Sequence, residues 1–378
     1  MTEIAVLPFP GESAFGGLFD TATCAEGRLA WFETLARTTL ARDEHAVLVV
    51  ASDGGKPKGV LPLVRTRKGL RALTAPYTTR YAPPLPDARI ARELGLRARE
   101  YVSGALRLDG LDPDDAGSAA FLQGLSNSGL VTARYRGYAN WYEPVTDFES
   151  WWAQRPSRLK TTVRRKLSAA MKQGAKFQCV GDGFDEAVAA YQEIHGESWK
   201  DAEPYPEFIP AMVRTLGPEG LVRIGIMTLA GKAVAAQIWL VCGRRATIFK
   251  LAHREDAAEH SPGTLLTHHM AETLIGQHHL EEIDFGRGND AYKRDWLGRS
   301  RARVGVIAGD WRTRAGLAAI IEDVLPTRLG ALVRGFGRHS PTNRRGSVAA
   351  TRIGVLSLTQ LRRMTPHVGP AYEVAGEP

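Results

Sequence analysis

The chain has 378 residues, 44% hydrophobic and 24% charged, the composition of an ordinary globular protein long enough for two domains with their own cores. Its three cysteines, Cys24, Cys179 and Cys242, are scattered without CxxC or Cys/His metal spacing, which argues against a disulfide framework and for a reducing compartment. The formal net charge is +8, and there is neither a run of about 18 apolar residues to span a membrane nor a basic flank ahead of an apolar core to mark a secretory signal, so a cytoplasmic protein is expected.

Residues 1 to about 20 read as an irregular leader. A helix follows over 28–42, with Leu29, Phe32, Leu35 and Leu40 on its apolar side. The run 45–52 (HAVLVVAS) predicts a buried strand, Asp53-Gly54-Gly55 a hairpin turn and 59–64 its partner. Further strands are expected at 71–79, 105–109 and 131–138, and helices at 88–101 and 116–126. A linker is expected over 145–156, around Trp151-Trp152.

The basic segment 157–166 opens a helix that stops at Gly174, and its charges read either as a solvated face or as a grip on an anionic acceptor or surface. A strand at 176–180, helices at 184–199 and 206–216, and a hairpin of 221–229 with 233–241 come next. Strands at 247–252, 282–285 and 301–308 close the pattern. The order helix, strand, glycine turn, strand, strand, helix, strand occurs in both halves, a repeat of pattern rather than of residues. It predicts two related α/β units in tandem, at 1–150 and 151–310, followed by a tail at 311–378.

The stretch 247–296 concentrates the candidate chemistry. Its strand runs through a polar loop into Ser261-Pro262-Gly263-Thr264, where Ser at the cap with Pro just inside is a helix-start signal. Free N–H groups and the positive end of the helix dipole there would attract a phosphate, and Gly263 would let it approach closely. The alternative is an ordinary capped helix. After the next strand, Asp284, Arg287, Asp290, Tyr292 and Lys293 crowd one loop, the groups that proton transfer and charge stabilisation require; a salt-bridged surface loop is the plain alternative. His268-His269 and His278-His279 invite a metal, but adjacent histidines point to different sides of a helix and no HExxH pattern exists, so no metal is expected.

HSPGTLL followed about 20 residues later by DFGRGNDAYKRDW resembles the CelD/BcsL-type acyltransferases of the GNAT superfamily, relatives of the FemAB peptidyltransferases that are built from two GNAT-like units. The similarity extends over roughly residues 20 to 310. It implies an α/β fold of two tandem GNAT-like units, mixed central sheets flanked by helices, and acyl transfer from a thioester by direct attack. Acyl-CoA would be a co-substrate rather than a bound cofactor, its pyrophosphate on His260, Ser261, Pro262, Gly263 and Thr264. Asp284 is the expected base with His253 behind it, Tyr292 or Lys293 the acid or charge stabiliser, and Arg287 the group orienting an anion. Trp199 reads as core packing by default and as substrate-binding by its place in the analogous fold. HSPGT keeps one glycine where the superfamily's phosphate loop has more, which leaves an acyl carrier protein or aminoacyl-tRNA as alternative donors. The N-terminal unit has no counterpart of SPGTLL, since Tyr77-Thr78-Thr79-Arg80 runs into prolines, so it is expected to wall the acceptor cleft.

Between Trp311 and Met364 ten arginines stand against one glutamate and one aspartate, so the basicity of the chain belongs to its tail. Leu317, Ile320, Ile321, Val324, Leu325, Leu329, Leu332 and Val333 recur among them as a basic amphipathic helix interrupted at Pro326, a membrane-surface pattern. The expectation is an N-acyltransferase acting on a long-chain lipid amine of the sphingoid type, peripheral on the inner membrane face; bacterial ceramide synthases are similar GNAT-type proteins. O-acylation of a cell-surface or exopolysaccharide sugar is the alternative, and a non-catalytic membrane or polymer-synthase adaptor the reading from another class. No nucleic-acid reader motif accompanies the arginines, so nucleic acid is not an expected partner.

Overall fold

The computed structural model describes residues 2–9 and 15–336. The first half supplies strands β1 (Thr2–Pro8), β2 (His45–Asp53), β3 (Lys56–Thr66), β4 (Gly69–Ala72), β5 (Ala105–Leu111) and β6 (Val131–Pro144). Its helices are α1 (Gly16–Phe19), α2 (Leu29–Thr38), α3 (Ala88–Leu96) and α4 (Ala116–Ser126). The second half supplies β7 (Lys176–Val180), β8 (Val222–Leu229), β9 (Lys232–Cys242), β10 (Arg245–His253), β11 (Glu282–Arg287) and β12 (Arg299–Gly309). With them come α5 (Phe148–Ala153), α6 (Ser157–Lys172), α7 (Asp185–Gly196), α8 (Phe208–Leu216), α9 (Pro262–His278), α10 (Lys293–Trp296), α11 (Arg314–Ala319) and α12 (Leu325–Phe336).

All twelve strands join one mixed sheet in the order β1-β2-β3-β4-β5-β12-β6-β11-β10-β9-β8-β7. The pairing is antiparallel except at two places. Gly69–Arg71 of β4 run parallel to Ala105–Arg107 of β5, and Arg245–Thr247 of β10 run parallel to Glu282–Asp284 of β11. Each half therefore holds one short parallel pair, and the two halves exchange their last strands. β12 lies against β5, β6 lies against β11, and β6 and β12 pair with each other at the centre. The mixed α/β architecture of two similar halves is as the sequence led us to expect; the strand exchange is not a feature that chain order reveals.

Local chemistry accounts for most elements. Gly54 and Gly55 take φ of +57° and +73° in the β2–β3 turn, the positive values a two-residue hairpin loop needs and glycine adopts without strain. Successive side chains of β9 point to opposite faces: Ala236, Ile238 and Leu240 enter one core with Trp31, Phe208 and Tyr77, while Ala235, Trp239 and Val241 enter a second with Leu266, Met270 and Leu274 of α9. The first core crosses between the halves, with Tyr77 stacked on Phe208 at 4.4 Å and Trp31 edge-on to it at 5.4 Å.

Four expectations need correction. The leader contains β1, hydrogen-bonded along β2 from Thr2–Asp53 to Pro8–Val47. The strand expected at 71–79 ends at Ala72, and Pro76 is followed by a turn in which Thr78 N donates to Ala75 O; proline cannot extend a ladder because it lacks an N–H. The stretch expected as a linker carries α5, whose Trp151 is buried against Trp296. In the tail, a π-helical turn at Ile320–Val324 immediately precedes Pro326 of α12, so the helix continues past the proline instead of breaking. Residues 337–378, with six of the ten tail arginines, lie outside the described residues.

Candidate active site

β10 and β11 hold together for three residue pairs and then part. Beyond Thr247–Asp284 no pairing continues, although β10 runs on to His253 and β11 to Arg287. Two irregularities drive them apart: a bulge in β10 between Ile248 and Lys250, and a register shift in β11 between Asp284 and Arg287 where Gly286 takes φ +63°. A bulge kinks its strand and re-aims the side chains beyond it. Residues 248–252 therefore have no ladder partner on β11.

The start of α9 lies beside this gap. Ser261 is not the cap its sequence suggests: it sits at φ +52°, ψ 47° in the left-handed region and its side chain caps nothing. Leu265 N reaches Ser261 O at 3.1 Å, so Gly263 and Thr264 keep N–H groups without an intrahelical acceptor, as first-turn residues do. The end is held by Gln237 of β9, which donates to Gly263 O at 3.1 Å and to Thr267 Oγ1 at 2.7 Å while accepting from Trp239 Nε1 at 2.9 Å. The counterpart in the first half differs. There Asp87 caps α3, accepting from Arg89 N at 2.8 Å and Ile90 N at 3.1 Å, and so puts a carboxylate where an anion would bind.

From the helix start a line of side chains leads into the gap. A Cβ on Gly263 would lie 3.4 Å from His253 Cδ2, and the His253 ring packs at 4.3 Å against Trp199, tilted by 44°. Trp199 is 41% exposed, so it is not the core residue that a tryptophan at a helix end suggests. Lys200 follows it and donates from Nζ to Leu251 O at 2.6 Å, on the parted edge of β10. Lys250 donates to Glu203 Oε2 at 2.9 Å, and the other Glu203 oxygen accepts from Tyr191 at 2.9 Å with His195 Nε2 at 3.4 Å. Burial, reinforced by Lys250, pushes the Lys200 ammonium down to about 8. Burial also lowers Lys250, Lys293 and His195. Glu203 stays below the usual carboxylate range because Lys250 and the Tyr191 hydroxyl outweigh its own burial.

A second set of charges lies under the gap. Asp284 is 4% exposed and accepts three hydrogen bonds: from Asn140 Nδ2 and Gly286 N, both at 2.6 Å on Oδ1, and from Arg301 at 2.8 Å on Oδ2. Arg301 also forks onto Glu282 at 2.6 and 3.0 Å, and its charged form is strengthened by both carboxylates against the cost of burial. Asn140 Oδ1 accepts from Arg301 at 2.7 Å and from Arg303 at 2.9 Å. The knot ties β6, β11 and β12 together where the strands are exchanged.

The structure thus brings His253, Trp199 and Gly263 together at one end of the gap, with Lys293 nearer Asp284. Lys293 is buried, donates to Arg287 O at 2.6 Å and pairs with Asp290 at 3.1 Å. Arg287 lays its guanidinium over Tyr138 at 4.5 Å, a residue of the first half. Tyr292 is exposed, its ring 6.5 Å from Phe285. His260 lies beside Glu259 at 3.4 Å, and Pro262 is buried and Thr264 half-buried in the first turn. The basic face of α6 is partly spoken for, since Arg158 forks onto Asp295 at 2.5 and 2.7 Å. Sequence reasoning missed Lys200, Glu203, Lys250 and His195. The one available signal was Lys250, a lysine inside an otherwise apolar strand run.

Residues 157–294 match a family model described as an acetyltransferase (GNAT) domain. Those residues are a GNAT acyltransferase domain. It contains the parted strands, the α9 start and the lysine cluster, and the resemblance drawn from HSPGTLL and DFGRGNDAYKRDW holds at the level of that superfamily. No curated protein matches the sequence. Among solved structures, FemX aligns with 80% of this chain and 96% of its own at a TM-score of 0.56 and 11% identity. L-PGS from Bacillus licheniformis aligns with 85% and 98% at 0.53 and 11% identity, and a conserved protein of unknown function from Bacteroides thetaiotaomicron VPI-5482 with 78% and 96% at 0.52 and 10%. At such identities these similarities establish a common fold, which covers both halves.

Proposed function

We infer that the GNAT domain transfers an acyl group from acyl-CoA to an amine by direct attack, and that the chain is of the CelD/BcsL type. The observation that carries this reading is the parting of β10 and β11 beside an uncapped helix start. A thioester carbonyl in the gap would lie along the edge of β10 that β11 leaves without a ladder partner, and the donor pyrophosphate would lie on the N–H groups of Gly263 and Thr264, favoured by the dipole of a 17-residue helix. Attack by the acceptor on the carbonyl breaks the C–S bond, and the departing thiolate takes up a proton. Lys293 and Tyr292 are the groups we assign to that end of the reaction.

For the proton leaving the acceptor we prefer His253 to Asp284. A base needs a lone pair aimed at its substrate, and Asp284 is buried beneath the gap, committed to three donors and ion-paired with Arg301. We give it a positioning role, holding the turn at Gly286 and hence the Arg287–Lys293 loop. His253 lies between Trp199 and Gly263, at the junction of the donor and acceptor ends. A long-chain lipid amine remains the leading acceptor from the resemblance, with a surface sugar as the alternative.

A specific observation supports work at a membrane surface. Leu317, Ile321, Leu325 and Leu329, 45–62% exposed, recur every four residues along the helix from α11 through α12 and so share one face. The stretch 311–364 carries a large positive excess, complementary to an anionic leaflet. No helix among the described residues is long and apolar enough to cross the bilayer, and surface attachment requires none.

The test is CoA thiol release from acyl-CoAs of graded chain length, with and without amine and sugar acceptors. Acceptor-dependent release supports the reading. Absence of release from every acyl-CoA with every acceptor favours the adaptor, and strict preference for acetyl-CoA removes the long-chain lipid.

A further inference from the structure

We propose that the acceptor carries a group that is anionic at neutral pH, seated among Lys200, Lys250 and Lys293 with Arg287 beside them. The inference rests on the acyltransferase reading of this cleft and names a property of its second substrate.

The charges in the gap do not balance. Lys250 has Glu203, and Lys293 has Asp290. Lys200 has the neutral Leu251 carbonyl and the face of Trp199 at 5.6 Å, and the exposed Arg287 has the face of Tyr138. Three lysines therefore face two carboxylates, with the exposed Arg287 close in sequence to Lys293. Glu203 is shared among Lys250, Tyr191 and His195 on its two oxygens, and the Lys200 ammonium donates instead to Leu251 O. The remaining nearby carboxylates are matched elsewhere: Glu282 by Arg245 at 2.7 Å and by Arg301, Asp284 by Arg301. His195 adds no negative charge in either protonation state.

Holding a cation out of water against a neutral partner is unfavourable, and a protein that keeps one has a vacancy for an anion. Lys200 is half-buried beside Lys250 and Lys293, which repel it, and Glu203 and Asp290, which attract it, so an anion among the lysines would balance the one cation left over. A protonated amine without a compensating anion would meet the same repulsion. An acceptor bearing a carboxylate or phosphate a few bonds from its nucleophile satisfies both demands: the anion anchors among the lysines while the amine or hydroxyl faces the thioester. Lys200 as a catalytic base is a distinct possibility in chemistry, and substitution separates the two, because arginine preserves the cation and cannot act as a base.

The experiment measures thiol release at saturating acyl-CoA, so that the α9 start is already occupied, using acceptor pairs that differ by one anion: alaninamide and alanine, glucosamine and glucosamine 6-phosphate, sphinganine and sphinganine 1-phosphate. The expected result is at least a ten-fold higher kcat/KM for the anionic member of the accepted pair, with carboxylate and phosphate arms showing which anion fits. Lys200→Met should abolish that preference through KM, and Lys200→Arg should retain most of it. Independently of turnover, calorimetric titration of the CoA-saturated protein with inorganic phosphate and with acetate should show binding that Lys200→Met weakens at least ten-fold. Preference for the uncharged members, anion binding unchanged in Lys200→Met, or equal loss of kcat in Lys200→Arg and Lys200→Met would each overturn the proposal. Absence of thiol release with every acceptor, while anion binding depends on Lys200, would count against the acyltransferase reading and leave the anion site standing.

Discussion

Replacing Asp284 by asparagine separates a positioning carboxylate from a base. The side chain accepts from Asn140 Nδ2, Gly286 N and Arg301, and asparagine offers one oxygen and one NH2 in its place. One donor, Asn140 or Arg301, would then face another donor in a buried site. Loss of a hydrogen bond between charged groups costs about 1.5–3 kcal/mol, and breaking a buried ion pair outright costs about 3–5 kcal/mol. Arg301 keeps Glu282 on both nitrogens and Asn140 on a third, so the lower range applies, about 2–3 kcal/mol. At about 2.1 cal/mol/K of unfolding entropy per residue, a chain of this size would show a fall in Tm of roughly 2–4 °C. Denaturant unfolding and thermal scans of Asp284→Asn beside the parent protein measure it, and kcat against pH for both completes the assay. A positioning role predicts lowered stability, a reduced kcat and an unchanged shape of pH profile. Unchanged stability with a kcat loss of about 10²-fold or more and a missing acidic limb would refute the argument and restore Asp284 as the base.

Three further outcomes follow from the same geometry. Ser261→Asp would set a negative charge at the positive end of the α9 dipole without needing a capping hydrogen bond, where a helix-terminus charge is worth about 1 kcal/mol, so KM for acyl-CoA should rise roughly five-fold with kcat little changed; an unchanged KM would remove the α9 start as the phosphate site. Burial puts Lys200 at about 8 in the folded protein against 10.5 for an ordinary lysine, so between those values the unfolded chain holds the extra proton and stability from this group rises with pH; denaturant unfolding at intervals from pH 7 to 10.5 should show this slope in the parent and not in Lys200→Met. Ile321→Glu with Leu329→Glu, both at exposed positions, should abolish flotation with phosphatidylglycerol vesicles while leaving thiol release from soluble acceptors intact, and undiminished flotation would exclude this helix face as the anchor.

The readable parts of this chain were those whose stabilisation is local. Helix 116–126 and strand 176–180 coincide with the observed elements, since periodicity and turn residues there agree with the final environment. Ser-Pro-Gly announced the start of α9 correctly but not its geometry, because the preceding 3-10 turn at Glu255–His260 delivers Ser261 in a left-handed conformation where its hydroxyl cannot reach back. β1 was hidden because it relies on a partner strand roughly 40–50 residues away (Pro8–Val47 to Thr2–Asp53). The lysine cluster was hidden twice over. Lys200 and Glu203 come from an irregular segment, and Lys250 reaches them past a bulge that strict alternation along β10 does not foresee. A charge cluster assembled from three elements has no signature in any one of them.

The pseudo-symmetry of the sheet would by itself suggest two donor gaps, because β4 and β5 also run parallel for three pairs and then part. The first gap is closed by its own chain. After Ala72 the loop 73–87 turns back between the strands: Tyr81 N donates to Gly110 O on β5 at 2.9 Å, Val60 N donates to Pro84 O at 3.0 Å, and the buried Tyr81 hydroxyl reaches Pro62 O at 2.8 Å. Arg80 is buried with it, held by Asp112 at 3.6 Å and Asp115 at 3.5 Å. Backbone groups that a thioester could have used are thereby satisfied within the fold, and Asp87 occupies the helix start that would have taken the phosphates. The same loop then carries Tyr77 and Thr79 across to the second half, where Lys250 lies 4.6 Å over the Tyr77 ring and Gly286 comes within van der Waals reach of Thr79. Filling one gap is therefore what walls the other. On the proposed reading, the hydrogen bonds already made in the first half leave a single donor site among the described residues, and the residues that close the first half's gap would shape the acceptor side of the second.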